Sequence, residues 1–570
     1  MSSQSSGELA LPQPRRHIIK ACEGCRQQKI KCNGKSPCER CARLSLPCTV
    51  RTVARQRRQK ASQKRAQDDD VQIIQTALRP IRITDRVTGR SAVYGPTSTI
   101  ALLHLLASRK EDFAISIEVS SSSLMHTDLS MNGWKLNPLA HQPYNISPTL
   151  AMSLAPPLCL TTIPNQILQF FLNRYVGTAW SILPMQSPAQ LGALFASACA
   201  AFSHNSPPPT LYPILLYQLA MGSLVTAQEE LSDMLVQESD LFISAGAHLT
   251  DTLDLQLNTL MISYYREIGN FDKAYALLGP TAGKVYAGGF HLEPREPEVE
   301  KLIRILVGLE EFICIALGRP PLLGPGIQVS HESESTDAKY FTGLFAILTP
   351  SLRVQSNPAT GFDELWHSIW TTHARLKSYW EECEPLLRTA QTEPHRPWNV
   401  EDTIRLNQNL YEYAVLTNMK PVLLYMGHRS SILSRATSPA SQASGGMSVN
   451  TGALTLATSL DPGKIAKDSA KLASASECIL TSAKNIISTI SELRQGCSGA
   501  KDLPMHSFFL EAACISLIAY GAWYNNQAAV WDSIELGVRC MEHMQYQRVA
   551  AQRLATVRAA MEQTGLRRQL

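Results

Sequence analysis

The sequence has few charged and aromatic residues for its length, and it has no long apolar run. Of its 570 residues, 18% are charged, 7% are aromatic and 44% are hydrophobic. This composition can bury a core and excludes a wholly disordered, collagen-like or fibrous chain. The longest apolar candidate, Ala512–Tyr524, is too short to span a bilayer, so no membrane partner is expected. The N-terminal residues also lack the apolar segment of a secretory signal.

Cysteine and catalytic motifs are scarce as well. The 14 cysteines are too dilute for a secreted disulfide scaffold, and clustered cysteines in a reducing compartment favour metal binding. No GxGxxG follows a strand pattern, and neither GxSxG nor HExxH occurs. The segment GPTAGKV at 279–285 has three residues between its glycines instead of the four of a phosphate loop, and Val285 follows its lysine. The sequence therefore predicts a protein that is not an enzyme.

Positive charge is concentrated at the N-terminus. Residues 1–66 contain 16 Lys or Arg and three acidic residues, a net charge of +13, whereas the remainder carries a net −8. A basic head on a mildly acidic body indicates that the head alone meets a polyanion. A solubilising tail would show the same charge, so charge alone leaves both interpretations open.

Six cysteines form a duplicated pattern within this head. Their spacing is C-x2-C-x6-C-x5-C-x2-C-x6-C, and adding 16 to each of the first three positions gives the other three. They are Cys22, Cys25, Cys32, Cys38, Cys41 and Cys48. Zinc takes four tetrahedral ligands, so two separate all-cysteine sites would need eight thiolates, whereas six suffice if two of them bridge. The nearest histidines, His17 and His104, lie outside the pattern, which argues against a RING domain or a finger with His ligands.

This segment resembles the zinc binuclear cluster of fungal transcription factors, in which two zinc ions share six cysteines. The resemblance implies that Cys22 and Cys38 bridge, that Cys25 and Cys32 complete one site, and that Cys41 and Cys48 complete the other. It further implies a nuclear regulator of RNA polymerase II transcription that binds double-stranded DNA at CGG-type triplets, contacts the transcription machinery and controls a metabolic or biosynthetic gene set, such as one of secondary metabolism. A zinc-stapled module that docks proteins instead of DNA is the alternative.

The basic residues of the cluster are the candidate DNA contacts. A short helix over the first cysteine pair would place Arg26 and Lys29 along one edge, and such a helix can enter the major groove, where these side chains donate to guanine O6 and N7. By resemblance, Lys29 is the expected base contact, and Arg26, Lys31 and Arg43 are expected to meet phosphates. The family usually has a basic residue where this sequence has Gln28, so one phosphate contact is expected to be absent or replaced by a neutral hydrogen bond.

A basic run follows the cluster. Residues 51–65 contain seven Lys or Arg, which predict an arm along the DNA backbone and a nuclear-import signal; a solvated charge run is the plainer interpretation. Arg55, Arg57 and Arg58 are the predicted DNA contacts in this arm.

A short heptad-like pattern comes next. Val71, Ile74 and Leu78 fall at a/d-like spacing, but Pro80 ends the pattern after about a heptad and a half, well short of a convincing coiled coil. The segment is therefore predicted to pack on the body. A homodimer through the larger domain is left open.

The remainder of the chain is helical in pattern. Ala- and Leu-rich segments separated by Pro and Gly recur from Ile163 onward, and period-2 alternation is scarce. The predicted helical segments include Gln166–Val176, Leu211–Ala227, Leu253–Ile268, Phe271–Ala287, Ala466–Glu492 and Ser507–Glu562, with a buried core helix at Ala513–Tyr524. The predicted fold class is mostly all-α: a small two-zinc domain of two short helices, a basic linker and a large α-helical body.

Two segments of this body resemble the fungal transcription-factor regulatory domain. Tyr264–Pro294 is similar to a helix pair that ends in a Gly-Leu-His-like turn, with Phe290 in place of the Leu beside His291. Glu298–Pro321 is similar to the next helix and its Gly-Arg-Pro turn, and the motif YGPTS at 94–98 also recurs in such regulators. His291 and Arg319 are predicted to be helix-end and packing residues, and no effector is identified.

These observations give a predicted organisation. It comprises a disordered tail over 1–17, the zinc cluster domain over 18–50, a basic linker with a short candidate dimerisation segment over 51–91, the regulatory domain over 92–427, a Ser/Ala/Gly-rich linker over 428–465, and C-terminal helices over 466–570 that complete the same body. Residues 112–160 are predicted to be an irregular connection.

Overall fold

A computed structural model divides the chain into two units, a small unit over residues 1–67 and a large unit over residues 68–570. The structure describes residues 21–49, 73–84, 91–108, 159–179, 184–204, 206–226, 228–244, 251–292, 295–324, 327, 336–355, 357, 360–389, 399–437, 462–496, 499–524, 527–545 and 547–566. The predicted tail, nearly all of the predicted irregular connection and the basic arm with Arg55, Arg57 and Arg58 lie outside the described residues.

The small unit contains two five-residue helices, α1 (Glu23–Gln27) and α2 (Glu39–Arg43). A cysteine immediately precedes each helix, and an acidic residue opens each one. Five of the six cysteines are buried and the sixth packs against them, and no other side chain among the described residues belongs to this core. Over residues 21–49, the unit therefore has no apolar core other than its cysteines.

The large unit is helical apart from one two-stranded sheet among its described residues, which agrees with the predicted fold class. Its elements are β1 (Ile81–Thr84), β2 (Ser91–Tyr94), α3 (Thr99–Ser108), α4 (Cys159–Thr162), α5 (Asn165–Val176), α6 (Pro188–Ser203), α7 (Tyr212–Leu224), α8 (Glu229–Ser244), α9 (Asp251–Glu267), α10 (Phe271–Ala287), α11 (Pro297–Leu317), α12 (Thr336–Gln355), α13 (Phe362–Thr389), α14 (Val400–Thr437), α15 (Pro462–Gln495), a 3-10 turn (Gly499–Asp502), α16 (Met505–Tyr524), α17 (Ala528–Glu542) and α18 (Arg548–Thr564).

The segment before the body differs from its prediction as a linker. Strands β1 and β2 pair antiparallel, with Ile81 opposite Tyr94, and this hairpin was not predicted. Ile74 is fully buried and Leu78 is buried in the core of the large unit, so these side chains are not available for a coiled coil. This agrees with the expectation that the segment packs on the body; Val71 lies outside the described residues.

The second predicted linker also begins later than expected. Helix α14 continues to Thr437, ten residues beyond the predicted boundary at 427, and α15 begins at Pro462. The Ser-rich composition after His428 favoured a loop, but the backbone continues a helix whose preceding turns are buried from Tyr413 to Gly427. Residues 438–461 lie outside the described residues.

Phe312 on α11 lies at the centre of the large core. Its ring centroid is 5.1 Å from that of Phe345 and 5.9 Å from those of Tyr413 and Phe508, with Phe271 at 6.1 Å. Five helices, α10, α11, α12, α14 and α16, therefore meet through aromatic contacts around one side chain. The C-terminal helices complete the same core as the rest of the unit.

Helix α16 is a long apolar helix of this core. By length and composition it could cross a membrane, and it is longer than the predicted apolar run, but 78% of the relevant window is buried inside the structure. It packs against α3, α14, α15, α17 and α18. The burial is that of a central core helix, as the pattern at Ala513–Tyr524 predicted.

The YGPTS motif and the Gly-Arg-Pro turn meet in space. The Gly95 amide donates to the Leu317 carbonyl at 2.9 Å, and a Cβ on Gly95 would lie 2.1 Å from the carbonyl oxygen of Gly318. Gly318 itself has φ +66°, a left-handed conformation that glycine adopts at no steric cost. Arg319 donates to the Val93 carbonyl and pairs with Asp272, so it is a packing residue of this contact.

Candidate metal centre and nucleic-acid interface

The backbone of the small unit repeats with the same 16-residue offset as its cysteines. The Ile30 amide donates to the Cys25 carbonyl, and at the equivalent place the Leu46 amide donates to the Cys41 carbonyl, both at 2.9 Å. Helices α1 and α2 are offset by 16 residues at both ends. The duplicated sequence therefore builds the same helix and turn twice.

The turn after each helix has one residue in a left-handed conformation. Lys29 has φ +52° and Ser45 has φ +51°, and neither is glycine. Such backbone is uncommon for residues with a Cβ. Lys29 consequently lies two residues beyond the end of α1 at Gln27, which corrects the prediction that it shares a helix edge with Arg26. The basic edge consists of a helix and the turn that follows it.

The sulfur atoms have the spacing that two zinc sites sharing ligands require. The Sγ of Cys22 is 3.7 Å from those of Cys38 and Cys41, and the Sγ of Cys25 is 3.7 Å from that of Cys38. A tetrahedron with zinc–sulfur arms of about 2.3 Å has edges of about 3.8 Å. These thiols therefore lie at the separation of ligands on one metal.

The six sulfurs divide into two overlapping sets of four. In each set all ligand atoms lie within 4.8 Å of one another. The sets are Cys22, Cys25, Cys32 and Cys38, and Cys22, Cys38, Cys41 and Cys48. Cys22 and Cys38 belong to both, so eight ligand positions come from six thiolates. The residues fit a binuclear zinc cluster, which supplies the folding free energy that an apolar core would otherwise provide.

Backbone amides favour the thiolate form of the two shared cysteines. The Cys41 amide donates to the Sγ of Cys38 at 3.4 Å and is the main cause that lowers the pKa of Cys38 to about 6. The amide of Cys25 is likewise the largest cause that lowers the pKa of Cys22. Both sulfurs lie at the start of a short helix, where the backbone amides have no partner within the helix. A zinc ligand must be deprotonated, so this arrangement assists binding.

Exposed positive charge lies mainly on the first half. Arg26, Lys29 and Lys31 are exposed, and none of them forms a salt bridge with another described residue. Arg43, at the end of α2, is exposed as well. By contrast, the ammonium group of Lys35 lies 3.4 Å from Glu39, so that charge is partly balanced.

Gln28 and Arg40 connect the two halves. The Nη2 of Arg40 donates to the Oε1 of Gln28 at 2.7 Å. The position that usually carries a basic residue in such clusters therefore holds a neutral acceptor for an arginine of the second half. Sequence reasoning did not single out Arg40, and only the 16-residue offset from Gly24 related it to the first half.

The surface residues of the two halves differ at some equivalent positions and agree at others. Leu44 and Leu46 are 48% and 45% exposed, and Ile30, the equivalent of Leu46, is 45% exposed. Gln28 and Leu44 occupy equivalent positions, as do Lys29 and Ser45. The two halves thus share a backbone and differ in surface chemistry.

A family model matches the region that contains the six cysteines. Residues 20–58 match the fungal Zn(2)-Cys(6) binuclear cluster domain. Protein RDR1 of Saccharomyces cerevisiae is 52% identical over 44 residues, which cover 8% of this chain and 8% of that protein. Transcription factor PDR1 of the same yeast is 52% identical over 51 residues, or 9% and 5% of the two chains. The thiamine repressible genes regulatory protein thi1 of Schizosaccharomyces pombe is 51% identical over 37 residues, or 6% and 5%.

These matches cover a small part of this chain and of each relative. The chain matches less than a tenth of the length of each of these relatives. No solved structure matches the chain. The family match, the six cysteines and their shared geometry agree over the same residues. Residues 20–58 are therefore a fungal Zn(2)-Cys(6) binuclear cluster domain.

Proposed function

We propose that the protein is a sequence-specific DNA-binding transcription factor that regulates RNA polymerase II transcription and reads CGG-type triplets through its zinc cluster. The observation that carries this proposal is the exposed basic edge of Arg26, Lys29 and Lys31, which forms no salt bridge with other described residues, on a unit whose buried described side chains are those of cysteines. A rigid cationic edge of this size suits a nucleic-acid groove. The protein acts as a regulator and not as an enzyme.

Different residues of the small unit contact the bases and the phosphates. Backbone hydrogen bonds hold Lys29 in its turn. Its side chain donates to guanine O6 or N7 in the major groove. Arg26, Lys31 and Arg43 meet phosphates and fix the position of the unit on the duplex. Zinc holds the six thiolates together, and the backbone between them keeps these side chains at fixed separations.

The basic arm supplies further charge. Arg55, Arg57 and Arg58 follow the DNA backbone, and the same run directs the protein to the nucleus. Because such contacts carry no sequence information, they raise the affinity for every duplex and make it depend steeply on salt.

The large unit has the regulatory role. It contacts the transcription machinery and links DNA binding to the control of a metabolic or biosynthetic gene set, such as one of secondary metabolism. Two relatives of the zinc cluster domain carry regulatory names, a transcription factor and a regulatory protein of thiamine-repressible genes. A homodimer through this unit is compatible with the proposal, since Ile74 and Leu78 are buried in it and do not form a coiled coil.

A second function has one observation in its favour. Leu44, Leu46 and Ile30 expose apolar surface on the small unit, and such surface can bind a protein. In that case the cluster would be a zinc-stapled docking module of a regulatory scaffold.

Selection of bound duplexes from random DNA by the full-length protein at physiological salt tests the proposal. Two CGG-like triplets at a fixed separation would support a dimeric regulator, and one triplet would support a monomeric one. A pool without enrichment, together with affinity below that of a specific complex, would reject the proposal in favour of the docking module.

A further inference from the structure

A pocket in the large unit lies where the ends of several helices meet. Its walls come from the C-terminal ends of α7 and α9, from α12, from the first turns of α14 and from the start of α16. The cavity volume is about 80 Å³. This is roughly half of the ~150 Å³ apolar cavity that accommodates benzene. The pocket therefore has room for a small molecule or for the end of a larger one.

Most of the wall is apolar. Met221, Leu224, Phe341 and Phe509 are buried side chains that face the cavity. Ala179, Leu406 and Leu410 also line it and are only half-buried, so the pocket opens to solvent on their side. A ligand could enter there without unfolding of the core.

Three of the polar side chains in this wall, Arg266, Glu267 and His506, each have an atom whose hydrogen-bonding capacity is unused. Arg266 donates to the Oε1 of Glu267, but its Nε and the Oε2 of Glu267 have no hydrogen-bond partner among the described residues. Neither ring nitrogen of His506 makes a hydrogen bond of ordinary geometry with a described residue. Arg266 and His506 are 2% and 1% exposed. Buried polar atoms left in this state are unfavourable unless another molecule meets them.

The charges of these groups determine which ligands fit. Arg266 and Glu267 form an ion pair, so the wall has no net charge from them. Burial and the nearby charge of Arg494 lower the pKa of His506 to about 3, against a smaller opposite effect of the Lys501 carbonyl. The imidazole is therefore neutral and offers one donor and one acceptor. A free anion would be repelled by Glu267, and a cation by Arg266.

We propose that this pocket binds a small, uncharged, mostly apolar molecule with one hydroxyl or carboxamide group. The apolar part contacts the side chains from α7, α12 and α16. The polar group donates to Glu267 and accepts from Arg266 or His506. This proposal does not depend on DNA binding.

Saturation-transfer NMR on the zinc-loaded full-length protein tests the proposal with butan-1-ol, butanoate and butylammonium at neutral pH. Butan-1-ol should give a signal several-fold above those of both ions. Ala179→Phe, which fills the mouth of the pocket, should abolish that signal. Ala196→Phe, at an exposed position of α6, is the matched control and should keep it.

Glu267→Gln gives a second, nearly isosteric test. It leaves the charge of Arg266 unbalanced, so the ratio of butanoate to butan-1-ol signal should rise several-fold. This variant decides the question if Ala179→Phe does not fold. No signal from butan-1-ol, an undiminished signal in folded Ala179→Phe, or an unchanged ratio in Glu267→Gln would each overturn the proposal; water alone would then fill the pocket.

Discussion

Lys29 and Ser45 occupy the same position in the two halves of the zinc cluster, one with φ +52° and the other with φ +51°. The duplicated backbone therefore places a basic side chain on one half and a small hydroxyl on the other. This relationship provides a matched pair for testing the proposed base contact. A glycine at either site would relieve the same left-handed backbone.

Lys29→Gly should weaken specific DNA binding by about 1–3 kcal/mol and relax the preference at one base pair. Ser45→Gly makes the same backbone change without removal of a positive charge, and its binding should equal that of the wild type. Titration of the selected duplex and of single-base variants, by fluorescence anisotropy, measures both effects. Equal losses in the two variants would mean that the turn matters and the Lys29 side chain does not read a base.

Cys38→Ala should reduce the zinc content more than Cys32→Ala does. Cys38 belongs to both sets of four sulfurs, whereas Cys32 belongs to one. We expect nearly complete loss of zinc from the Cys38 variant and retention of about one zinc by the Cys32 variant, because each zinc needs four ligands. Metal analysis of the purified full-length chains gives the stoichiometry. Identical zinc contents would contradict the shared-thiolate arrangement.

The double variant Arg57→Ala, Arg58→Ala should lower affinity alike for specific and random duplexes. If each arginine neutralises one phosphate, the slope of log K against log salt should become shallower by about 1.8. Arg375→Ala with Lys377→Ala, which removes two exposed charges from the large unit, is the control and should leave the slope unchanged. An unaltered slope in the first variant would exclude the arm from DNA contact.

Gly95→Ala should destabilise the large unit by about 1–3 kcal/mol or more, since the added methyl would lie 2.1 Å from the Gly318 carbonyl oxygen. Gly192→Ala, in α6, has no atom within 4 Å of the new methyl and should be neutral or slightly stabilising. Thermal unfolding of both variants provides the comparison. Equal melting temperatures would show that the Gly95–Gly318 contact relaxes without cost.

The stability of the large unit should rise with pH above neutrality through Lys420. This lysine is fully buried, its ammonium group lies 3.1 Å from the Thr99 hydroxyl, and burial lowers its pKa to about 7 despite the opposing charge of Glu511. Between about pH 7 and the ordinary value of 10.5, the unfolded chain binds a proton that the folded protein does not. The free energy of unfolding therefore increases with pH there, by at most about 1.4 kcal/mol per unit.

Lys420→Met should remove this contribution and flatten the dependence of the melting temperature on pH between 7 and 10. Lys377→Met, at an exposed position, should keep the slope of the wild type. A slope that survives in Lys420→Met would assign the effect to other groups.

The sequence predicted the two-zinc, six-cysteine cluster because its evidence is local. Six residues of one type at fixed spacing leave few ways to satisfy a tetrahedral metal. The position of Lys29 was harder to predict. Helix periodicity from Arg26 placed it on α1, and nothing in one copy of the turn indicates a left-handed residue. The hairpin at 81–94 was missed since each strand has only four residues, all of them at most half-buried in β1.

In the large unit too, features that depend on neighbouring residues were predicted and features that depend on residues far apart in the sequence were not. Helix α10 begins and ends at Phe271 and Ala287 as predicted, because Asn270 caps its start by accepting from the Lys273 amide. The end of α14 was placed ten residues early, since composition after His428 outweighed periodicity. The pocket could not be predicted, because Arg266, Phe341 and His506 are far apart in the sequence and meet only in the folded core.

Residues 438–461 join α14 to α15, and these two helices form an extensive contact with each other and with α16. The contacts that hold these helices together are made by residues of the helices themselves. A chain cut within this segment would consist of two pieces, each with apolar faces that only the other can cover. The large unit can thus be regarded as a heterodimer whose subunits are translated as one polypeptide, and separately expressed halves should reassemble on mixing.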